Sequence, residues 1–294
     1  MPDDNLRAIV ESACRRAGLD STGATRLRKH AADVILLPAA ADGGLVLKVA
    51  PANSASRADR AVTLTRWLCD RGFPCTRPAD IDQPFVVEDR VVTVWLHYDQ
   101  RGRPTPGAAH LGTLLRGLHR LPVPRIELPV AQPLSMLAGL IQNDSTLPRQ
   151  DRDWLLHERS RLLDRYRSLD FHLGVGLIHG DAYPGNTLWD AGDTTVLLGD
   201  WDEAAIGPRE LDLANTVQGR RFGRSTAEIS AFFDAYGHDL RDWNGLAVLT
   251  RIRDMHTLGS FLRRAAHGDR PAADELRARA ASLRTGSSAA WHAA

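Results

Sequence analysis

Three polar residues, His179, Asp181 and Asn186, lie within one short stretch rich in glycine and proline, "HGDAYPGNTLWD", residues 179–190. An apolar segment with strand character precedes this stretch, and a second one, "TTVLLGDWD", follows it. Phosphoryl transfer needs a carboxylate close to the attacking hydroxyl and oxygen ligands for a divalent cation. Asp181 could face the acceptor while Asn186, five positions later, holds the metal, so one loop could supply both groups.

Two residues outside the loop would complete this chemistry. Asp200 ends the next strand and would be a second metal ligand, while Lys48, in the apolar run "GGLVLKVA", would reach the phosphates of a nucleotide. Only Lys29 and Lys48 are lysines among the 37 basic residues, so a lysine inside an apolar strand needs a specific reason. His179 is expected to order the loop through hydrogen bonds, because Asp181 already serves as the base.

Each of these residues also has a structural explanation. Asp181 could serve only the turn at the following Pro-Gly pair, and Asn186 could cap a helix or turn. Lys48 could be an edge-strand lysine that discourages aggregation. Asp202 stays open between a water-mediated contact to metal and a solvated acid. The combination of strand, loop, strand and upstream lysine favours a catalytic site over these separate explanations.

The elements that must position these residues follow from the hydrophobic periodicity. A helix is predicted over residues 4–18, and strand pairs within 34–50 and 83–96 flank a second helix over 54–71. The first part of the chain, residues 1–98, therefore predicts a small sheet lobe that binds nucleotide.

The rest of the chain predicts a second lobe. "HYDQRGRPTPG" interrupts the pattern with glycine and proline and marks the lobe boundary, with a hinge at about residues 95–100. Residues 99–294 are mostly helical in pattern and include the catalytic loop, the metal site and the acceptor site.

The composition is that of an ordinary globular protein, with 43% hydrophobic and 25% charged residues and a net charge of +1. Nothing in this balance indicates a nucleic-acid or membrane partner, and no apolar run is long enough to cross a bilayer. Three scattered cysteines form neither a disulfide framework nor a zinc motif. We therefore expect a cytoplasmic protein.

The layout resembles the protein-kinase-like phosphotransferases, whose catalytic loop has the same Asp-to-Asn spacing. Within that group the chain is similar to the aminoglycoside phosphotransferase and choline kinase family. The similarity is carried by "HGD" with the "GN" that follows it, by "GDWDEAAIGPRELDLA" at 199–214, and by "LGTLLRGLH" at 111–119.

This resemblance implies a bilobal, protein-kinase-like α+β fold, Mg²⁺ as cofactor and ATP or GTP as phosphoryl donor. The acceptor would be a small hydroxylated molecule, either an antibiotic such as an aminoglycoside or a related metabolite. A role in antibiotic resistance and a metabolic or biosynthetic role both stay open, as do a monomer and a homodimer.

The resemblance also implies roles for residues outside the loop. Backbone groups of Trp95, Leu96 and His97 would read the purine at the hinge, with the indole of Trp95 used for packing. Glu210 and Asp212 would support the catalytic loop by pairing with an arginine.

The chain departs from the kinase pattern at one position. Kinases that pair the strand lysine with a glutamate of the following helix need an acid where this chain has Ala61. Either Asp59 serves from a shifted helix, or the pair is absent. The second alternative admits a pseudokinase that binds nucleotide without turnover. A weaker rival is a hydrolase with two metals on His179, Asp181, Asp200 and Asp202.

Overall fold

The computed structural model describes residues 4–29, 32–41, 43–192 and 194–292. In this part of the chain the α-helices, α1 to α9 in chain order, are Asp4–Ala17, Ala55–Cys69, Ala108–Leu118, Leu137–Gln142, Arg149–Arg167, Glu210–Gln218, Thr226–Tyr236, Gly245–Ala266 and Arg270–Thr285. The strands, β1 to β9, are Thr25–Lys29, Asp33–Leu37, Leu45–Pro51, Phe85–Val87, Arg90–Leu96, Val175–Ile178, Thr187–Trp189, Val196–Leu198 and Ala205–Pro208.

The N-terminal sheet is antiparallel and has the strand order β1-β2-β3-β5-β4. Lys48 pairs with Val34 on one side and with Thr93 on the other, so it lies in the central strand. Side chains alternate along β3, and Leu47 and Val49 are buried while Lys48 faces the opposite side. The explanation of Lys48 as an edge-strand lysine is therefore wrong.

Helix α1 covers the face of this sheet that is turned away from Lys48. Its apolar residues recur at helical spacing and join Leu47 and Val49 in one hydrophobic cluster. The helix ends before Gly18, whose φ of 66° is open to glycine at little cost. The predicted helix over residues 4–18 is confirmed.

Helix α2 contacts strand β5 of the small sheet and also packs into the core of the helical lobe. Ala61, Leu64 and Leu68 belong to the same hydrophobic cluster as the buried residues of α3, α7 and α8. Residues 74–76 continue this connection, since the Leu198 amide donates to Pro74 O (3.0 Å) and the Thr76 amide to Leu198 O (3.1 Å). Residues 74–76, which follow α2, are thus hydrogen-bonded to β8, the strand that precedes Asp200.

The C-terminal part is helical apart from two small antiparallel ribbons, β6 with β9 and β7 with β8. Helices α3 and α7 pack closely where Gly112 has no side chain. A Cβ atom at this position would lie 2.3 Å from Phe232 O. The two ribbons project the predicted catalytic loop and the end of β8 toward Lys48. This arrangement is the predicted bilobal α+β fold.

Some local predictions differ from the structure. The short helices α4 and α6 were not expected, since neither six nor nine residues show a clear period. Strand β1 pairs with β2 in addition to the predicted strand pairs, and residues 30 and 31 between them lie outside the described residues. The lobe boundary at residues 98 and 99 remains a prediction. No helix in the described part of the chain is long and apolar enough to cross a membrane.

Candidate active site

The predicted catalytic loop connects β6 to β7 and is fixed to the neighbouring ribbon by its own backbone. A 3₁₀ turn over Pro184–Asn186 begins with a proline whose fixed φ suits the first turn of a helix. The Gly199 amide donates to Asn186 O at 2.8 Å. Asn186 and Asp200, which follows Gly199, are thereby brought together, as the sequence predicts.

Lys48 reaches across from the small sheet to this pair of segments. Its Nζ donates to Asp200 Oδ1 at 2.8 Å and to Asp202 Oδ2 at 2.7 Å. Burial lowers the pKa of Lys48, but the two carboxylates outweigh burial and hold that pKa above its ordinary value. Burial likewise raises the pKa of Asp200, and Lys48 more than offsets it, so the net shift is downward. Lys48 and Asp200 are therefore both charged at neutral pH.

Asp200 has a left-handed backbone, with φ of 61° and ψ of 66°. A non-glycine residue in this region costs roughly 1–2 kcal/mol and persists only where the surroundings enforce it. The enforcing contact is the buried indole of Trp201, whose Nε1 donates to Leu198 O (3.1 Å) and whose ring packs against Phe73 and His179. The strained backbone directs the carboxylate of Asp200 into the cleft beside Lys48.

His179 is fully buried and uses both ring nitrogens within the protein. Nδ1 accepts from the Asp181 amide (3.3 Å), so Nε2 carries the proton and donates to Gly199 O (2.9 Å). This contact pattern is that of a loop-ordering residue. It also leaves no lone pair for a metal, and no three acidic, histidine or cysteine side chains in the described residues are grouped closely enough to hold one. The geometry therefore does not support the two-metal hydrolase.

Asn186 and Asp200 offer a donor set of the kind that Mg²⁺ prefers. The Asn186 Nδ2 donates to Asp181 O (3.0 Å), which leaves the amide oxygen as a ligand. Lys48 contacts one oxygen of Asp200, which leaves the other. An amide oxygen and a carboxylate oxygen from adjacent segments suit a cation that retains several waters and also binds substrate phosphates.

A buried network supports the catalytic loop from below. Asp212 accepts hydrogen bonds from the amides of His179 and Gly180 (2.8 Å each) and from His119 Nε2 (3.1 Å). Burial raises the pKa of Asp212, but these hydrogen bonds outweigh it and hold that pKa below its ordinary value. Tyr236 in turn donates to His119 Nδ1 (3.0 Å).

The expected support from an arginine is not what the structure shows. The partners of Asp212 are a histidine and two backbone amides, and Glu210 accepts from the Leu173 amide (2.7 Å). Asp212 supports the loop, as expected, and Glu210 contacts the segment before β6. The arginine that was expected to pair with these acids is not among their contacts.

Arg253 on α8 forms an ion pair with Asp181 that the sequence did not predict. The two side chains are 16% and 27% exposed, so the pair lies at the wall of the cleft. Arg253 is one of four arginines on α8, with Arg251, Arg263 and Arg264, and no local signal distinguishes it. Only the ion pair with Asp181 in the folded chain places Arg253 at the candidate site.

Of the two alternatives for the helix acid, the structure shows the second. Asp59 lies on the exposed face of α2. Ala61 is buried near Lys48, where both residues line a cavity of about 20 Å³. The carboxylates that hold Lys48 come from residues 200–202 instead.

The hinge segment lies at the end of β5, as expected. Leu96 N–H donates to Arg77 O (2.9 Å) and His97 N–H donates to the carbonyl of Gly44 (3.2 Å). The amides of Leu96 and His97 are thus already engaged in hydrogen bonds within the protein. The indole of Trp95 lines the cavity beside Lys48. The assignment of Trp95, Leu96 and His97 to nucleotide binding remains a prediction.

Solved structures of similar fold were found over nearly the whole chain. Amicoumacin kinase, solved with AMP-PNP, Ca²⁺ and Ami, has 13% identity and a TM-score of 0.75 over 99% of this chain and 96% of that chain. A choline/ethanolamine kinase family protein from Mesorhizobium loti has 19% identity and a TM-score of 0.67, covering 96% and 95%. Spectinomycin phosphotransferase, solved with ADP and spectinomycin, has 17% identity and a TM-score of 0.62, covering 93% and 88%. At these identities the likeness establishes the fold.

No curated protein matches the chain in sequence. The family itself is shown by a sequence model described as "Phosphotransferase enzyme family", which matches residues 25–249. The match spans the strand with Lys48, the catalytic loop and the segment with Asp200 and Asp212. The chain therefore belongs to the phosphotransferase enzyme family.

Proposed function

We propose that this phosphotransferase moves the γ-phosphoryl group of ATP or GTP to a hydroxyl group of a small acceptor. One observation carries the proposal. Lys48, from a distant part of the chain, is hydrogen-bonded to Asp200 at 2.8 Å. Gly199, the residue before Asp200, is hydrogen-bonded to Asn186 at 2.8 Å, and Asn186 is hydrogen-bonded to Asp181 at 3.0 Å. This is the set that phosphoryl transfer requires.

Asp181 is the base in this proposal. Arg253 holds one of its carboxylate oxygens, so the other is available to accept a hydrogen bond from the acceptor hydroxyl. The hydroxyl oxygen then attacks the γ-phosphorus, its proton moves to Asp181, and the bond to the nucleoside diphosphate breaks. Fixing the carboxylate in one rotamer reduces the entropy that must be lost when the acceptor binds.

Asn186 and Asp200 would hold Mg²⁺, which would neutralise the charge that develops on the phosphate oxygens. Lys48 would contact the same phosphates from the small sheet. His179 and Asp212 would keep the loop in place, through the backbone amides and carbonyl that they contact.

The acceptor is proposed to be a hydroxylated antibiotic, such as an aminoglycoside, or a related metabolite. Support for this class comes from the family and from structures of similar fold that contain such compounds. The proposed acceptor surface lies beside Asp181 and Arg253, at the face of α8.

The test is product analysis. The protein is incubated with ATP or GTP, Mg²⁺ and a panel of aminoglycosides, aminocyclitols and nucleoside antibiotics, and the products are examined by mass spectrometry and ³¹P NMR. The proposal predicts a phosphate monoester on at least one acceptor, formed in equal amount to the nucleoside diphosphate. Binding of nucleotide without any transfer would instead indicate the pseudokinase.

A further inference from the structure

The strand lysine is held by two carboxylates of one short segment. Lys48 Nζ lies 2.8 Å from Asp200 Oδ1 and 2.7 Å from Asp202 Oδ2. The three side chains are only 23–33% exposed, so the contacts are partly shielded from solvent. Charge-assisted hydrogen bonds of this length are among the stronger contacts in a protein.

Helix α2 contributes no carboxylate to this lysine in the described part of the chain. Ala58 and Ala61 line the small cavity between α2 and Lys48, and its volume of about 20 Å³ holds roughly one water molecule. Asp59 lies on the opposite, exposed face. A lysine without a partner at this place would move through several rotamers and would contact phosphates less often.

The two carboxylates differ in what else they must do. In the proposed function Asp200 binds the metal. A divalent cation next to this carboxylate would repel the Lys48 ammonium and so weaken the contact between Asp200 and Lys48. Asp202 has no such second task among the contacts described above. Asp202 is therefore the partner that can keep Lys48 in place while the metal site is in use.

The segment that carries Asp202 is anchored by a buried side chain and contacts α2. Trp201 is buried, and the Ala204 amide donates to Trp201 O (3.2 Å) to close the turn. Arg57 of α2 forms an ion pair with Glu203 at 3.1 Å. A helix glutamate paired with Lys48 was the expected pattern. Here helix α2 instead supplies a cation, Arg57, and the turn supplies the acids.

We propose that Asp202 is the positioning residue of Lys48 and does the work that a glutamate of helix α2 would otherwise do. The inference rests on the proposed function, and it explains how the site is complete although Ala61 occupies the position of the missing glutamate.

The test compares Asp202→Asn with Asp202→Glu and with a matched control, Asp59→Asn. Asp202→Asn is expected to lower kcat/KM by about 10- to 100-fold, as for loss of one hydrogen bond to a charged group. Most of the loss should be in kcat, since a mobile lysine fails mainly in the transition state. Asp202→Glu restores the carboxylate and should recover part of the rate, while Asp59→Asn should behave as wild type.

A second measurement reads the contact without nucleotide. The chain has only two lysines, so acetylation by acetic anhydride, followed by mass spectrometry, gives the rate at Lys48 with Lys29 as internal reference. Loss of the Asp202 carboxylate exposes the Lys48 amine and weakens its protonation. The Lys48-to-Lys29 ratio of rates should therefore rise in Asp202→Asn and stay unchanged in Asp59→Asn.

The outcomes separate the inference from the proposed function. An unchanged rate and an unchanged acetylation ratio in folded Asp202→Asn would overturn the inference while wild-type turnover still supported the function. A defect that disappears at high Mg²⁺ concentration would also overturn it, because it would make Asp202 a metal ligand. Failure of the wild type to bind nucleotide would overturn the proposed function itself.

Discussion

Asp181 is the residue on which the proposed transfer depends most directly, and its environment leaves one oxygen for the acceptor. Replacing it by asparagine keeps the shape and removes the base. Asp181→Asn should lower kcat by about 10²- to 10⁴-fold, the usual contribution of a positioned general base. Nucleotide affinity, measured by calorimetry, should stay close to that of wild type. A kcat reduced by less than about tenfold would show that Asp181 is not the base.

The three cysteines should differ in their reactivity toward alkylating reagents. The hydrogen bond from Cys75, with the two Sγ atoms 3.5 Å apart, lowers the pKa of Cys69 to about 7, whereas burial raises the pKa of Cys14 to about 11. Cys69 is thus largely thiolate at pH 8, and iodoacetamide should modify it before the other two. Mass spectrometry locates the adduct, and phosphotransfer should continue because the mechanism uses no thiol. Loss of turnover in folded, alkylated protein would contradict this.

At this scale the sequence predicted residue types that could act together, and the structure brings Lys48, Asp181, Asn186 and Asp200 to one cleft. Their spacing within a loop or strand carried the signal. Arg253 could not be predicted, because its partner is 72 residues away in sequence and its own helix has several similar arginines.

The catalytic loop depends on a glycine at one position for two reasons. Gly180 has a φ of +81°, and a Cβ there would lie 2.2 Å from Glu203 O. Gly286 has a similar φ of +69° with nothing within 4 Å of the added Cβ. Gly286→Ala should therefore cost only the backbone penalty, about 1–2 kcal/mol.

Gly180→Ala adds a backbone clash to that penalty. We expect a larger loss in the free energy of unfolding, measured by urea denaturation, together with a marked loss of kcat as Asp181 and the rest of the loop move away from Asp200. Equal losses in the two variants, with normal kcat in Gly180→Ala, would show that the loop tolerates displacement.

Among the elements, the strand pairs and long amphipathic helices were predictable because their periodicity is local. The partners of α2 were not. The sequence pattern of its apolar face does not indicate which surface the helix packs against. The structure places Ala61 and Leu64 in the core of the helical lobe. The loss of the helix acid was visible in sequence, but its replacement from the 200–202 segment required the tertiary structure.

Across the whole molecule, Lys48 joins the sheet lobe to residues 200–202 of the helical lobe. The raised pKa of Lys48 means that its contribution to stability is complete below its ordinary pKa and is lost only as pH rises through the raised value. The lowered pKa of Asp200 means that its contribution is present above its ordinary pKa and is lost only as pH falls through the lowered value. The link should therefore be intact from about pH 5 to pH 9.

Lys48→Met tests this statement. The variant should be less stable than wild type because it leaves Asp200 and Asp202 close together without a cation. The difference in unfolding free energy, measured by chemical denaturation, should be constant from about pH 7 to pH 9 and should become smaller toward pH 5, because burial raises the pKa of Asp200 once Lys48 no longer offsets it. A difference that changed strongly between about pH 7 and pH 9 would mean that Lys48 or Asp200 titrates there.

Calorimetry can show whether nucleotide and metal bind together at the cleft between Lys48 and Asp200. ATP and GTP are titrated with and without Mg²⁺ into wild type and Asp200→Ala. We expect wild type to bind at least one of the two nucleotides, and we expect Mg²⁺ to strengthen this binding in wild type but not in Asp200→Ala. If folded wild-type protein bound neither nucleotide, or if Mg²⁺ strengthened binding equally in both proteins, the assignment of this cleft as the phosphotransfer site would be contradicted.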